Sequence, residues 1–229
     1  FLPYSNTDIV TEETFKGKSI PNGWTIARNM SSSATSSNWI QIKKLPLGRY
    51  DGIYVSNPNS VCGSSNEAGS RSIISPTYRI PSISQGAVFF SFIHYFATDE
   101  PYDGGVVNIR VNNGSFRRID LEGFTQNGYN NHLVASSGNP LGSVYAFGGL
   151  FGVGIFQPGW IESEIIVSKY ARSGDTVQFS FEFGTDSCIG VEGWYIDRIR
   201  LYTRNYIEAR YCPSPVSGSP ATSLLGRSN

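Results

Sequence analysis

The sequence predicts an all-β protein of the sandwich type in one large domain. Its 229 residues include 25 Gly, 13 Tyr and 14 Phe but one Met, the balance of aromatic strands and turns rather than of helices. Runs of strand residues recur along the chain between polar connections rich in glycine and asparagine. All-β sandwiches of this size often form a single unit with a sizeable core.

The early strands are short, and the later ones have clearer patterns. Phenylalanines at alternate positions of VQFSFEF share one face, and AVFFSFIHYF suits a buried strand. Strands are expected at residues 13–15, 39–42, 50–55, 72–74, 87–96, 106–111, 161–167, 177–183 and 194–202.

Two segments lack a regular strand pattern. Residues 123–159 are rich in Gly and Asn, and a loop this long is usually functional or partly ordered surface. From residue 206 the chain becomes a Pro/Ser stretch typical of a linker or terminal arm. We therefore divide the chain into a domain at residues 1–205 and an arm or linker at residues 206–229.

The charge composition argues against a nucleic-acid partner. The chain has 18 Lys and Arg against 18 Asp and Glu, a formal net charge of +0. A nucleic-acid-binding domain normally carries a basic stripe. No span approaches the roughly 20 apolar residues that a membrane helix needs. We expect neither nucleic-acid binding nor a membrane span.

An acidic loop interrupts two of the predicted strands. The sequence ATDEPYDGGVVN, residues 97–108, places Asp99, Glu100 and Asp103 in one strand connection. Three carboxylates this close repel one another unless a cation, a cationic side chain or water screens them. The loop therefore either binds something positive, such as calcium, or lies fully solvated.

The last predicted strand carries a carboxylate among apolar residues. Counting by twos puts Asp197 on the face of Tyr195 and Ile199, where an unpaired charge would be very costly. It is either a hydrogen-bonded or salt-bridged aspartate, or a metal ligand. Glu13 would be a partner ligand if the first and last strands pair. Glu192 completes the candidate metal ligands.

Cysteine usage and sequons point to a secreted protein. Cys62, Cys188 and Cys212 have no C-x-x-C spacing, which disfavours zinc and leaves room for one disulfide and one further thiol, with the pairing open. Asn29 and Asn113 each begin a glycosylation sequon. The first residue is not methionine, so the chain is either a mature form or a segment of a longer protein.

The sequence offers little for catalysis. His94 and His132 are the only histidines, and neither H-E-x-x-H nor G-x-S-x-G occurs. His94 shares a predicted face with phenylalanines, which favours a structural core histidine. Paired carboxylates would suffice for glycoside hydrolysis, with Asp103 and either Glu192 or Asp186 as the pair. Acids in glycine-rich loops are more often metal ligands or turn residues, so we expect no enzymatic activity.

Aromatic residues beside polar amides predict a glycan-binding surface. A pyranose ring stacks its C–H face on Tyr or Trp while Asn, Gln and Asp bond its hydroxyls. The alternative is that the aromatic residues cap sheet edges and the asparagines form turns. The candidate ligand-binding residues are Tyr102, Tyr129, Asn130, Asn131 and Trp160.

Three stretches together resemble one domain family. They are SRSIISPTYRIP at residues 70–81, FIHYFATDEPYDGGVVNIRVNNGSF at residues 92–116 and SGDTVQFSFEFGTDSCIGVEGWYIDRIRL at residues 173–201. In order and spacing they are similar to the MAM-like jelly-roll domain of secreted immune-inhibitor-A-type peptidases and surface adhesins, and distantly to reelin repeats.

The resemblance implies a jelly-roll β-sandwich of two antiparallel sheets that is generally non-catalytic, attached to other modules and in several cases bound to structural calcium. Matched by position, the family's acidic residues fall on Asp99, Asp103, Asp186 and Asp197. Arg198 stands where the family has a second Asp.

We therefore expect an extracellular, non-catalytic binding or adhesion module with a structural calcium site. Its partner would be a glycan or a cell-surface or matrix protein, and it would be flanked by modules of a larger secreted protein. Two other functions stay open: a glycoside-active jelly-roll enzyme, and a purely structural accessory domain of a secreted protease.

Overall fold

The strands of this protein form two antiparallel sheets that pack face to face, and the chain crosses repeatedly from one sheet to the other, as in a jelly roll. The computed structural model describes residues 4–30, 34, 36, 38–58, 62, 67–135, 138–150 and 159–206. The predicted all-β class and the two-sheet sandwich are confirmed. Cys212 and nearly all of the predicted arm at residues 206–229 lie outside the described residues.

Turns and loops join fifteen strands in the described part of the chain. The strands are β1 (Tyr4–Glu13), β2 (Thr25–Met30), β3 (Ile40–Lys44), β4 (Tyr50–Ser56), β5 (Gly69–Ile74), β6 (Tyr78–Arg79), β7 (Ala87–Ala97), β8 (Gly104–Val111), β9 (Arg117–Arg118), β10 (Phe124–Gln126), β11 (Asn131–His132), β12 (Tyr145–Ala146), β13 (Ile161–Ile166), β14 (Thr176–Thr185) and β15 (Gly193–Tyr206). Single 3-10 turns occur at Pro46–Gly48, Leu121–Gly123 and Val167–Lys169. Within the described residues, no helix has the length and apolar character to cross a bilayer.

The first sheet has the strand order β10-β13-β7-β15-β4-β3, with β1 beside the second half of β15. One edge of β15 pairs with β7, and the other pairs first with β4 and then with β1. The first and last strands are therefore neighbours, and Glu13 lies opposite Ile199. This pairing is the one on which the predicted role of Glu13 depended.

The second sheet has the order β2-β5-β14-β8-β9, with β6 beside β14, while β11 and β12 form a separate ladder. Gly104 at the start of β8 lies opposite Gly184 near the end of β14, and Gly193 at the start of β15 lies opposite Ala97 at the end of β7. The connections from β7 to β8 and from β14 to β15 therefore leave the same end of the sandwich.

Aromatic side chains from both sheets fill the space between them. Phe90 stacks on Phe179 with ring centroids 3.7 Å apart, and Phe92 meets Phe181 edge-on at 5.1 Å. Phe183 is fully buried as well, so the predicted alternation along β14 is confirmed. Removing one such ring costs about 3–5 kcal/mol, so these contacts are central to stability.

The first strand is longer and earlier than expected. It ends at Glu13, and Phe15 has a positive φ of 53° and lies fully buried, with its ring 5.4 Å from that of Trp24. The prediction of a strand at residues 13–15 was wrong because Phe15 marks a core position that a turn, and not a strand, reaches.

Part of the Gly/Asn-rich segment enters the core. Phe147 is 1% exposed, and its ring lies 4.6 Å from that of His94 and 4.8 Å from that of Tyr129. Its backbone exchanges two hydrogen bonds with Gly105 of β8. The described part of this segment is therefore not surface throughout, because an isolated aromatic side chain closes the end of the sandwich without a strand pattern around it.

Asp197 does not share a face with the apolar residues that follow it. The pairing of β15 with β7 shifts register between Ile196 and Arg198, so Asp197 is the extra residue of a β-bulge. Ile196 and Ile199 both enter the core, which is possible only because the bulge reverses the alternation. Counting by twos failed here because it assumes an unbroken alternation, which the extra residue of a bulge reverses.

His94 is a buried structural residue, as predicted. Its Nδ1 accepts the indole N–H of Trp194 at 3.0 Å, which leaves the ring proton on Nε2 facing Ser163 Oγ at 2.9 Å. The Ser163 hydroxyl in turn donates to the carbonyl of Asn127. Burial lowers the pKa of His94 to about 3, so the ring is neutral.

Candidate functional site

Three connections meet at one end of the sandwich, and we call them together the loop platform. They join β4 to β5, β7 to β8 and β14 to β15. The N–H of Asn57 donates to the carbonyl of Glu192 at 3.1 Å, and the N–H of Asp186 donates to Asp103 Oδ1 at 2.7 Å. A surface cavity of about 370 Å³ opens there, lined by Thr98, Asp99, Glu100, Leu150 and Val191.

Asp103 points into the interior of the loop platform and is only 1% exposed. The carbonyl of Asp99 accepts the N–H groups of Tyr102 and Asp103, and this tight turn directs Asp103 inward. Burial raises the pKa of Asp103 to about 7, against the lowering effect of the hydrogen bond from the Asp186 N–H. An ionised Asp103 is therefore costly at neutral pH unless a cation stabilises it.

Asp186 and Asp99 add to the negative charge of the platform. Asp186 Oδ1 accepts the N–H of Cys188 at 2.7 Å, and burial raises the pKa of its carboxyl group. Burial, and then the charge of Asp186, raise the pKa of Asp99. The acids that the sequence placed in two separate motifs thus come together in one electrostatic cluster.

Arg71 lies behind this acidic cluster. It is fully buried, and its Nη2 donates to the carbonyl of Ser56 at 2.7 Å. Burial lowers the pKa of Arg71 to about 10, while the charges of Glu67 and Asp103 act in the opposite direction. One guanidinium shared in this way leaves the platform with more negative than positive charge.

A disulfide ties two of the three connections together. Cys62 in the β4–β5 connection pairs with Cys188 in the β14–β15 connection, with their Cα atoms 4.0 Å apart. The pairing that the sequence left open is therefore Cys62 with Cys188.

Asn57 is a buried polar residue of the loop platform whose hydrogen-bonding groups are poorly satisfied. Its side chain is 3% exposed, and within the described residues neither amide atom makes a hydrogen bond. A contact of hydrogen-bond type from the Asn57 side chain nevertheless lowers the pKa of the Asp103 carboxyl group, so the two groups are close neighbours whose contact falls short of good hydrogen-bond geometry. Burying an amide without partners costs about 1–3 kcal/mol, so a ligand at this point would remove a real penalty.

The six predicted metal ligands do not form one site. Asp99, Asp103 and Asp186 share the loop platform, but within the described residues no three His, Cys, Asp or Glu side chains are placed to hold one metal ion. Calcium is also bound by amide and backbone oxygens. A calcium site at the loop platform would therefore use fewer carboxylates than the six predicted.

The other three acids have separate partners. Asp197 Oδ2 lies 2.5 Å from Arg49 Nη2, which comes from the β3–β4 connection. Glu13 accepts the N–H two residues further along the chain, and Glu192 Oε1 accepts the hydroxyl of Tyr195 at 2.8 Å. Arg49 was not anticipated because the bulge that turns Asp197 towards it cannot be detected in the sequence.

Three of the predicted ligand-binding residues are used within the fold. Tyr129 is 8% exposed, and its hydroxyl bonds both the N–H and the carbonyl of Val107. The amide of Asn130 bonds the N–H and carbonyl of Gly148, and Asn131 Oδ1 accepts the next N–H along the chain. Asn130 thus joins two distant segments of the chain, and Asn131 belongs to β11.

Tyr102 and Trp160 are more accessible, and they lie on different parts of the surface. Tyr102 is 40% exposed in the β7–β8 connection, and its carbonyl accepts the Asn139 amide at 2.8 Å. Trp160 precedes β13 and packs beside Tyr95 on the outer face of the first sheet. The five predicted residues therefore do not form a single surface.

Trp160 belongs instead to an aromatic row that crosses the outer face of the first sheet. The row contains Tyr54 of β4, Tyr195 of β15, Tyr95 of β7 and Trp160, and the three tyrosines lie directly opposite one another in adjacent strands. Successive ring centroids are 4.4, 5.9 and 5.8 Å apart. Tyr54, Tyr95 and Trp160 are partly exposed, whereas Tyr195 is 8% exposed.

Glu192 lies at the edge of the aromatic row. Its carboxylate accepts the hydroxyl of Tyr195, and its carbonyl accepts that of Tyr54 at 2.7 Å. Burial, and then the charge of Glu192, raise the pKa of Tyr95, and burial also raises the pKa values of Tyr54 and Tyr195. All three tyrosines therefore keep their hydroxyl protons at neutral pH.

The sequence contained a signal for the row that we did not use. Tyr54, Tyr95 and Tyr195 each occupy an outward position between inward-pointing neighbours of a strand, such as Ile53 and Val55 around Tyr54. Three outward aromatic residues are informative because large aromatics are otherwise favoured in cores. Only the strand order brings them into one row.

Comparison with known proteins adds a likeness of fold. No protein-family model and no curated protein matches this sequence. A cleaved adhesin domain, K3, of Lys-gingipain from Porphyromonas gingivalis has a similar structure, with a TM-score of 0.46 and 11% identity over 86% of this chain and 99% of that chain.

Two carbohydrate-binding modules have similar structures. A xylan-binding domain from Paenibacillus barcinonensis has a TM-score of 0.40 and 8% identity over 87% of this chain and 97% of its own. A family 11 module from Clostridium thermocellum has a TM-score of 0.37 and 11% identity over 87% of this chain and 98% of its own. At TM-scores below 0.5 these likenesses do not bear on function, and the similarity to MAM-like domains stays a sequence resemblance.

Proposed function

We propose that this protein is a non-catalytic extracellular binding module whose loop platform holds a structural calcium ion. One observation carries the proposal: the buried amide of Asn57, without a well-formed hydrogen bond in the described residues, in contact with the buried carboxyl group of Asp103. An amide oxygen and a carboxylate are hard ligands that calcium prefers. A cation there would remove both the unsatisfied amide and the cost of ionising Asp103.

The ligands of the ion would be Asp103 and Asp186 with the amide oxygen of Asn57, completed by backbone carbonyls of the platform. When bound, calcium supplies positive charge and cross-links three connections. Because these connections come from both sheets, the ion would make the end of the sandwich rigid. A rigid loop surface binds a partner at a lower entropic cost than a mobile one.

The extracellular location is supported by the disulfide between Cys62 and Cys188. Such bonds persist in oxidising compartments and are rare in the cytosol. The side chains of Asn29 and Asn113 are both exposed, so both acceptor amides are accessible for glycosylation.

The absence of catalysis is supported by the environment of the candidate acids. Asp103, the common member of both proposed hydrolytic pairs, is 1% exposed and accepts the Asp186 N–H. A hydrolytic acid must reach the glycosidic bond, and this one faces the interior. His94 is equally inaccessible, since it is fully buried.

The calcium proposal is tested by thermal unfolding of EDTA-stripped protein with and without calcium. A ligand that binds only the folded state stabilises it by about 2.7 kcal/mol at a concentration of 100 times its Kd. In a chain of this size that corresponds to a rise in Tm of roughly 5–10 °C. Asn57→Ala and Asp103→Asn should reduce the rise, whereas Asp120→Asn, an exposed acid outside the platform, should keep it.

An unchanged Tm at millimolar calcium, in protein shown by atomic absorption to be free of calcium, would contradict the metal site. An equal rise in wild type and in Asn57→Ala would also contradict it at this position. Partner binding at another surface of the module is a separate property and is measured by a separate experiment.

A further inference from the structure

The aromatic row of Tyr54, Tyr195, Tyr95 and Trp160 has the length of a short oligosaccharide. It crosses three strand spacings of about 4.8 Å each, or about 14 Å in all. It is therefore an extended strip and not a pocket for one sugar ring. An extended strip suits a linear polymer, whose successive rings lie in line.

The row offers apolar and polar groups side by side. The rings of Tyr54, Tyr95 and Trp160 are partly exposed and present apolar surface. The Glu192 carboxylate at one side, and the ion pair of Arg49 with Asp197 at the other, supply hydrogen-bond acceptors and donors. A pyranose has the same two characters, a C–H face and a rim of hydroxyl groups.

Trp160 is held in position before any ligand arrives. Its Nε1–H donates to the carbonyl of Pro46 at 3.0 Å, and the Arg49 guanidinium lies 5.2 Å from its ring centre. Arg49 is itself held by Asp197. Pre-organised aromatic side chains bind with a smaller loss of conformational entropy.

The charges around the row favour an uncharged ligand. Arg49 is neutralised by Asp197, and Glu192 contributes a negative charge. The aromatic row therefore has no excess positive charge that would attract a sulfated or uronic-acid polymer. A neutral polysaccharide avoids the repulsion from Glu192 that an anionic one would meet.

We infer that the aromatic row is the binding platform for a linear, neutral pyranose polysaccharide. This inference rests on the proposed binding function and names its ligand class and its surface. The row borders the loop platform at Glu192 but contains none of the proposed calcium ligands Asn57, Asp103 and Asp186, so different variants test the two proposals.

Affinity gel electrophoresis of the calcium-loaded protein tests the inference. The gels contain xylan, mixed-linkage β-glucan or galactomannan, with heparin as an anionic polymer. We expect retardation by at least one neutral polymer and none by heparin. Tyr95→Ala and Trp160→Ala should each weaken binding about tenfold or more, as central aromatic anchors do.

Two tyrosine variants serve as matched controls. Tyr145→Ala removes a tyrosine that is 49% exposed on β12, and Tyr102→Ala removes one that is 40% exposed at the loop platform. Both should bind like wild type. Loss of binding in Tyr102→Ala with full binding in Tyr95→Ala would overturn the row and place the ligand at the loop platform.

Tryptophan fluorescence provides a measurement on the wild-type protein, so it does not depend on whether an alanine variant folds. All four tryptophans lie in the described residues, and Trp24, Trp39 and Trp194 are at most 8% exposed, so acrylamide quenching reports mainly on Trp160. The bound polysaccharide should protect Trp160 from quenching, and Trp160→Phe should abolish the protected signal.

Three results would overturn the inference. The first is unchanged acrylamide quenching of Trp160 when a polymer is bound. The second is binding as tight as that of wild type by both Tyr95→Ala and Trp160→Ala. The third is failure of wild type to bind any neutral polymer. In the last case, capture of a protein partner on the same surface would leave the proposed binding function standing, with a protein ligand instead of a glycan.

Discussion

The indole N–H of Trp194 donates to Nδ1 of His94 at 3.0 Å, joining two fully buried side chains on the neighbouring strands β15 and β7. The bond determines which nitrogen of His94 carries the proton, because an accepting Nδ1 requires the proton on Nε2. It places a neutral histidine at the centre of an aromatic core. Protonation of His94 would therefore place a positive charge in this core.

His94 should make the protein less stable in mild acid. Its pKa is about 3 in the folded protein and near 6.5 when unfolded, so between these values only the unfolded chain gains the proton. The free energy of unfolding therefore falls as the pH drops from about 6.5 towards about 3. In His94→Gln the difference from wild type should shrink steadily over this range, as measured by urea unfolding from pH 7 to pH 4.

The control for this prediction is His132→Gln, because His132 is exposed. The free energy of unfolding of His132→Gln should differ from that of wild type by the same amount at every pH. The carboxyl groups titrate in all three proteins and cancel in the comparison. A constant difference between His94→Gln and wild type would show that His94 does not contribute to the acid response.

Gly105 is required by the ring of Trp194. A Cβ atom at this position would lie 2.3 Å from both Cε3 and Cζ3 of the indole. Overpacking of this kind typically costs about 1–3 kcal/mol, so Gly105→Ala should unfold at a clearly lower urea concentration. Gly17→Ala, whose Cβ would meet its nearest neighbour at 3.5 Å, should unfold like wild type. Equal midpoints for the two variants would contradict the packing argument.

Asp103 should destabilise calcium-free protein as the pH rises. Burial raises its pKa to about 7, whereas the unfolded value is near 3.9. Between these values the folded state holds a proton that the unfolded state has lost, so the free energy of unfolding falls as the pH rises from about 4 to about 7. Asp103→Asn should lack this decline and be more stable than wild type above pH 7.

Urea unfolding in EDTA from pH 5 to pH 8 measures this effect. Asp99 and Asp186 titrate in both proteins, and their raised pKa values act in the same direction. Asp120→Asn, a change at an exposed acid, should keep the decline. If Asp103→Asn and wild type have curves of the same slope, Asp103 is ionised in the folded protein.

The disulfide between Cys62 and Cys188 should make a large contribution to stability. It closes a loop over a sequence separation of 126 residues, and long loops gain most from cross-linking. The double variant Cys62→Ser, Cys188→Ser should lose about 2–5 kcal/mol. Denaturant unfolding of both proteins without reductant measures this loss, and adding reductant should then affect only wild type.

Much of the fold was predictable because it depends on local patterns. The alternation of Phe179, Phe181 and Phe183 correctly predicted the inner face of β14, and the phenylalanines of β7 correctly indicated a buried strand. His94 was correctly expected in the core from its position among them. The bulge at Asp197 was missed because one extra residue disturbs pairing without changing composition.

The candidate sites were less predictable because they join distant parts of the chain. The acids Asp103 and Asp186 were both identified, but Asn57 was not, since a single Asn in a polar loop carries no signal. The outward positions of Tyr54, Tyr95 and Tyr195 did carry a signal. Only the strand order, however, joins the three tyrosines into one row.

Local sequence was sufficient for the all-β class, the main core strands and the acidic character of the β7–β8 loop, because alternation and turn chemistry act over a few residues. Only the folded molecule decided the Cys62–Cys188 pairing, the partner of Asp197 and the aromatic row. Those features depend on which strands become neighbours and in which register, and that choice is made by packing between residues far apart in the chain.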